Sequence, residues 1–299
     1  MLKSDLSKYK CIVYAFIISI VICYPGKLFS QQEKESRIKI LSWNIQMLPN
    51  FFSPFSELLR KNQKDRLPEI MKYLYKAEYD IVVLQEVFDV NIKRKLKRFL
   101  RIKYPYIQMP LGRKIDWKGT NGIMILSKYP MKYIDHIIYN AAEGYDAATN
   151  KGCVLVEIDI NGNNWLVAGT HLQASGQHVR DLQYMQIKDQ IIYPYGNDSV
   201  PFILAGDLNT EKGSVSYSNM LSVFRLNNLE IFDDRPYTID TTNSWNYSGE
   251  CKQIDFVLYD LPKNYKPIIS NVIRPYMIFE NKKMDLADHY GVLLNIKSR

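Results

Sequence analysis

Apolar residues in this chain gather into short runs that end on polar or charged side chains. Residues 38–45 form one such run and predict a strand. Residues 81–84 are apolar without interruption, the mark of a strand covered on both faces. Further strands are predicted over 123–126, 131–138, 153–160, 165–170, 202–205, 254–258 and 291–296. Helical spacing appears where Leu67, Ile70, Met71 and Leu74 follow Asp65, read as the cap. A second helix carries Ile92, Leu96, Phe99 and Leu100 on its apolar side. Its basic face (Lys93, Arg94, Lys95, Lys97, Arg98) reads as a solvated surface. Tyr184, Ile187 and Ile191 keep helical spacing between Gly176 and Ile192, and another helix is predicted over about 215–226. Strand groups with helices inserted between them predict an α/β protein of stacked sheets with helices outside. Neither a repeat nor a linker-like tract divides residues 37–299, so one domain is expected.

The first thirty residues break this pattern. Lys3, Lys8 and Lys10 precede an apolar run over 11–23 that is short for a bilayer span, and a cleavage point follows Ser30. A charged, then apolar, then polar order is that of a secretory signal peptide. Residues 1–30 are therefore read as the leader and 31–299 as the mature domain, secreted or periplasmic. An uncleaved anchor is the alternative; lipid modification at Cys23 is disfavoured because Ile22 is not small. Composition adds little, with 46% hydrophobic and 23% charged residues placing the chain among ordinary folded proteins. Of the formal +8, Lys3, Lys8, Lys10 and Lys27 against Asp5 make +3, leaving +5 on the remainder. That surplus suits an anionic substrate or surface without demanding one. Cys153 and Cys251 remain after cleavage, and pairing or two buried thiols are both open.

Residues able to do chemistry recur at or near the ends of the predicted strands. Asn44, Glu86 and His171 close three of them; Asp207 and Asn209 follow a fourth, spaced to share one side of an extended backbone. Asp255 lies within another, and Asp288 and His289 precede the last. Any one of these could be a turn or cap residue; the set together has a chemical logic. Asn44, Glu86, Asp207 and Asn209 offer the oxygen ligands that hard divalent cations take, with no thiolate. Two histidines can serve as general base and acid near neutral pH, each oriented by a carboxylate. Neither Ser nor Cys stands in a nucleophile context, so water is the simplest attacking group. Metal, water and two histidines describe hydrolysis of a phosphate ester.

In order, Ser42-Trp43-Asn44, Gln85-Glu86, Gly169-Thr170-His171, Gly206-Asp207-Leu208-Asn209, Ile254-Asp255 and Ala287-Asp288-His289 resemble the deoxyribonuclease I-like endonuclease/exonuclease/phosphatase superfamily. Met47-Leu48-Pro49, Val87-Phe88-Asp89, Leu172-Gln173-Ala174, Asn121-Gly122, Ser127-Lys128-Tyr129-Pro130 and Asp146 before Lys151-Gly152 are similar to its neutral and bacterial sphingomyelinase branch. Ala287 departs from the usual serine, leaving carboxylate and imidazole in place.

The resemblance implies a four-layer α/β/β/α sandwich and a Mg²⁺-dependent sphingomyelin phosphodiesterase, with Mn²⁺ or Co²⁺ as substitutes. It implies metal ligation by Glu86 and Asn44, with Asp207, Asn209 and Asp288 contributing. His289 would take the proton of the attacking water, His171 would support or protonate the reacting oxygens, and Asp255 would orient His171. Asp146, Lys151 and Asn121 would meet the substrate. A monomer making peripheral contact with membrane sphingomyelin is expected, with nucleic acid disfavoured as partner. An exported nuclease of the same fold and a non-catalytic membrane-docking protein are the rivals. Between Arg274 and Lys282 the run Pro275-Tyr276-Met277-Ile278-Phe279 resembles that branch's exposed apolar hairpin, a buried strand being the other reading.

Overall fold

The computed structural model describes residues 37–48, 57–112, 119–246 and 248–298, with side chains described for all of these except 57–61. The leader read at residues 1–30 lies outside the described residues. One sheet holds six strands: β1 (Arg37–Met47), β2 (Ile81–Val87), β3 (Tyr106–Gln108), β4 (Met124–Ser127), β10 (Tyr265–Ile273) and β13 (Gly291–Ser298), ordered β10-β13-β1-β2-β4-β3. The other holds β5 (Met131–Ile138), β6 (Gly152–Ile160), β7 (Asn163–His171), β8 (Phe202–Asp207) and β9 (Asp255–Asp260) in sequential order. β11 (Tyr276–Phe279) and β12 (Lys282–Asp285) form a separate hairpin.

Each sheet contains one parallel pair, and that feature places the site. β1 and β2 are joined through helix α1 (Glu57–Lys76). β7 and β8 are joined through a helix at Gln177–Ile187 that continues as a π-helical turn over Lys188–Ile192. A parallel pair brings two carboxyl ends to the same edge of a sheet. Two further helices are Val90–Leu100, capped by the Asp89 carboxylate on two backbone N–H groups, and Val215–Phe224.

Three apolar layers separate the four structural ones. Between the sheets lie Ile40, Ile81, Val83, Ile125 and Val292, meeting Val154, Val156, Trp165, Val167, Ile203 and Val257. Leu41, Trp43, Val82 and Leu84 on the outer face of the first sheet meet Leu67, Ile70, Leu74, Ile92, Leu96 and Leu100. Leu155, Ala168, Leu204 and Phe256 on the outer face of the second meet Tyr184, Ile187, Ile191, Met220 and Phe224. This is the predicted α/β/β/α sandwich.

Local differences from the sequence reading have physical causes. Asp65 sits inside α1, not at its start, because the helix already begins at Glu57. Phe99 is 41% exposed and meets Tyr75 edge-on, since Ile92, Leu96 and Leu100 fill the inner stripe. Strands β3 and β10 lack the continuous apolar run of a central strand, as befits sheet edges. Cys153 is buried, Cys251 half-buried, and both are free thiols.

Candidate active site

The register of the sheets assembles most of the site. His171 pairs with Asp207 across β7 and β8, and Asp207 with Asp255 across β8 and β9, setting three functional side chains in one row. Close approach at this row depends on Gly206, where an added Cβ would fall 2.0 Å from the Thr170 carbonyl oxygen. Asn44 and Gln85 pair at the corresponding end of the first sheet. Asn44 Nδ2 then reaches across, 3.1 Å from Glu86 Oε1 and 3.2 Å from Asp207 Oδ2, joining the two sheets. Backbone strain concentrates here: Gln46, Glu86 and Asn209 all have positive φ (50°, 59° and 46°). Non-glycine residues held in that region cost of order 1–3 kcal/mol each and cluster where function needs a fixed geometry.

The two histidines have different surroundings. His289 Nδ1 lies 2.9 Å from Asp255 Oδ2, and Asp255 is fully buried. A carboxylate only accepts, so the proton sits on Nδ1 and Nε2 is the nitrogen left for chemistry. Burial alone would lower the His289 pKa, but Asp255 and Asp207 outweigh it and hold the imidazole well above its usual value. Asp255 therefore orients His289 and not His171, correcting the role expected for it; β9 and the segment before β13 meet, while β9 and β7 are separated by β8.

His171 Nε2 lies 3.0 Å from Lys151 Nζ and 3.3 Å from Asp207 Oδ2. The ammonium only donates, which makes Nε2 the acceptor and puts the proton on Nδ1. Burial, then the charges of Lys151 and His289, hold His171 well below its usual pKa, so it is neutral. Nδ1 is buried with no partner in the protein.

The carboxylates are crowded. Burial and Asp255 push Asp207 up to about 7. Burial and Asp288 raise Glu86. Asp207 Oδ1 accepts the Asn209 N–H at 3.0 Å, so Asp207 and Asn209 form a turn and do not share the side of an extended strand as the spacing had implied. Asn209 Nδ2 donates instead to the Leu172 carbonyl at 3.1 Å. Asp288 Oδ2 accepts from Gln46 Nε2 at 2.7 Å, while Asp288 Oδ1 and Asp255 Oδ1 are buried without a partner in the protein. Four carboxylates, two of them raised, with free oxygens and an amide among them, are a donor set that fits a hard divalent cation. Ligand atoms of Asp207, Asp255 and His289 lie within 4.8 Å of one another. His289 Nδ1 is committed to Asp255, so that trio reads as a hydrogen-bonded dyad beside a carboxylate rather than as a metal nest.

The three residues expected to meet substrate are placed differently from one another. Lys151 Nζ is 2.8 Å from Asp146 Oδ1, which ties it into the His171 cluster, and Asp146 Oδ2 also accepts the Ala174 N–H. Asn121 is fully buried; its Oδ1 accepts the Leu111 and Ile123 N–H groups, and its Nδ2 has no partner in the protein. His136 and His178 stay outside, paired with Tyr133 and Glu143. Sequence reasoning missed Gln46 and Arg66. The one available signal was an arginine on the apolar stripe of α1, four residues before Ile70 and eight before Leu74.

At the hairpin, alternation decides exposure. Tyr276 (54%) and Ile278 (67%) face solvent, whereas Met277 is buried and Phe279 packs on the core. Both readings of the run are thus half realised. Glu280 and Asn281 carry positive φ at the tip, the conformation of a tight hairpin turn.

Residues 41–269 match the Endonuclease/Exonuclease/phosphatase family. A protein named sphingomyelinase C from Leptospira interrogans is 31% identical over 224 residues, 68% of this chain and 40% of that one. A Staphylococcus aureus protein named phospholipase C is 26% identical over 97% of both chains. The chain thus spans less than half of the Leptospira relative and nearly all of the staphylococcal one. Among solved structures, beta toxin from Staphylococcus aureus with bound magnesium ions superposes with a TM-score of 0.73 at 25% identity, covering 88% of this chain and 100% of that one.

Proposed function

The chain belongs to the endonuclease/exonuclease/phosphatase family, and from that membership we propose a secreted, Mg²⁺-dependent sphingomyelin phosphodiesterase that releases ceramide and phosphocholine. The observation that carries the reading is the convergence of Asn44, Glu86, His171, Asp207, Asp255, Asp288 and His289 at one end of the sandwich, in a chain 31% identical to a protein named sphingomyelinase C.

Bound Mg²⁺, with Glu86, Asn44 and Asp288 as its candidate holders, would neutralise the carboxylate cluster and polarise a phosphoryl oxygen. With bound Mg²⁺ offsetting the carboxylate charge that raises its pKa, His289 Nε2 would be free to take the proton of the attacking water, with Asp255 fixing the tautomer and stabilising the imidazolium formed. Neutral His171 keeps Nδ1–H as its donor for a phosphoryl oxygen, while Lys151, whose three N–H groups go to His171 Nε2, Asp146 Oδ1 and the Leu172 carbonyl, fixes that tautomer and adds positive charge to the site. Neutrality makes His171 a poor proton source for the leaving alkoxide, so support of the oxygens is its better role, and the ceramide oxygen takes its proton from solvent while His289 returns the water's proton to solvent. Tyr276 and Ile278 on the hairpin are the apolar groups able to enter a lipid interface.

The test is phosphocholine release from sphingomyelin liposomes by the purified chain, with Mg²⁺ and with chelator, beside plasmid DNA as the rival substrate. Release that chelator abolishes supports the reading. DNA cleavage without phosphocholine release, or neither activity under any metal, overturns it. Export as a monomeric domain of residues 31–299 belongs to the same proposal, checked by N-terminal sequencing and sizing of the released protein.

A further inference from the structure

We propose that Arg66 is a positioning residue, a buried guanidinium that clamps the end of β1 to the segment carrying Asp288 and His289. The inference rests on the phosphodiesterase reading for its activity assay but not for its geometry.

Arg66 lies on the inner stripe of α1 and is 1% exposed. Its Nη1 donates to the Leu286 carbonyl at 2.7 Å and to the Ile45 carbonyl at 3.4 Å. Its Nη2 donates to the Gln46 carbonyl at 3.0 Å and to Gln46 Oε1 at 3.4 Å. One planar group thus bridges residues two positions beyond Asn44 and two positions before Asp288. Gln46 extends the bridge: its Nε2 donates to Asp288 Oδ2 at 2.7 Å, and its N–H donates to Asn44 Oδ1 at 3.1 Å. Gln46 has φ of 50°, a conformation a side-chain-bearing residue holds only when its surroundings impose it, and Arg66 grips it at both carbonyls. Trp245 completes the seat, with its ring centroid 5.2 Å from the guanidinium and its indole N–H donating to the Asp285 carbonyl at 2.7 Å.

The cation is held by carbonyl oxygens and not by a carboxylate partner. Among the described residues Arg66 makes no ion pair, and its Nε is buried without a partner. Burial lowers its pKa to about 10 against the opposing pull of Asp288 and Glu86, so it stays charged at neutral pH. The flanking stripe positions Leu67, Ile70 and Leu74 are apolar, and an apolar residue at 66 would leave the Ile45, Gln46 and Leu286 carbonyls without this donor. What an apolar residue could not do is hold carbonyls of two separate segments at fixed spacing. Lysine, a single point charge, could reach only part of the set.

The experiment compares wild type, Arg66→Met, Arg66→Lys, Gln46→Met and the Arg66→Met/Gln46→Met pair. Rates are read on p-nitrophenyl phosphocholine and on bis(p-nitrophenyl) phosphate with Mg²⁺. Arg66→Met is expected to lower kcat about 10–100-fold, the usual cost of losing support behind a reacting group, with KM changed by less than about threefold. Arg66→Lys should recover part of the loss. Gln46→Met should lower kcat in the same way, and the pair should cost little more than Arg66→Met alone, because both act on Asp288. The ring nitrogen resonances of His289 should shift in Arg66→Met while those of His136 and His178 stay in place. A folded Arg66→Met enzyme with kcat within about threefold of wild type, or with His289 signals unmoved, overturns the proposal. If Arg66→Met does not fold, Gln46→Met decides by the same limit. A wild type active only on bis(p-nitrophenyl) phosphate refutes the sphingomyelin reading and leaves the Arg66 test intact. A wild type inactive on both refutes the enzyme reading, and the His289 signals then decide Arg66 alone.

Discussion

Replacing Asp255 by asparagine removes one charge from a buried pair in the site. The carboxylate is fully buried, 2.9 Å from His289 Nδ1, and Asp207 Oδ2 stands next to the same nitrogen at 3.8 Å. A hydrogen bond to a charged group contributes about 1.5–3 kcal/mol. At about 1.4 kcal/mol per decade that alone corresponds to roughly 10–150-fold in rate. Asparagine adds a second loss. Its amide can donate to Nδ1 and drive the proton to Nε2, the nitrogen that must accept from water. A positioned base contributes about 10²–10⁴-fold, so Asp255→Asn is expected to lower kcat within that range with KM little changed. The assay is turnover of a soluble phosphocholine ester with saturating Mg²⁺, alongside circular dichroism. Double-mutant cycles distinguish the partner. In the Asp255→Asn background His289→Ala should cost little more, while His171→Ala should cost its full amount. The reverse pattern, or a kcat above about a tenth of wild type, would refute the Asp255–His289 assignment.

Glu86→Gln keeps shape and loses the charge a hard cation prefers, so activity should fall beyond the 10–100-fold typical of outlying support, with the fold unchanged by circular dichroism. In the metal-free protein Asp207, raised to about 7 from 3.8, favours the folded chain while protonated, and that contribution is lost as pH rises from about 4 towards 7. Glu86, a candidate Mg²⁺ holder, is raised as well, so Mg²⁺ would compete with its proton and the increment in melting temperature should be larger at pH 8 than at pH 5; equal increments would show that Glu86 does not hold it. At the hairpin, Ile278→Ala should weaken liposome binding while costing less than about 0.5 kcal/mol of stability. Phe279→Ala should instead cost about 1–3 kcal/mol, being only half-buried, and lower the melting temperature; a stability loss at Ile278 equal to that at Phe279 would remove the docking role.

The sequence by itself determined the central strands, because apolar runs such as 81–84 and 202–205 can be satisfied only by burial on both faces. It also determined which residues stand at the ends of those strands, and the ordered motifs resemble one superfamily strongly enough to imply the sandwich. Tertiary structure alone decided which of them meet. Asp255 pairs with His289 because strand order sets β8 between β9 and β7, and no local spacing encodes strand order. It decided that Phe279 packs inward and Ile278 outward, since the phase of a two-residue alternation depends on what the hairpin lies against. It decided the place of Arg66, which apart from Gln46 Oε1 bonds the backbone carbonyls of Ile45, Gln46 and Leu286, up to 220 residues away. Every residue carries a carbonyl, so a contact made to one leaves no trace in the identity of the residue that accepts it.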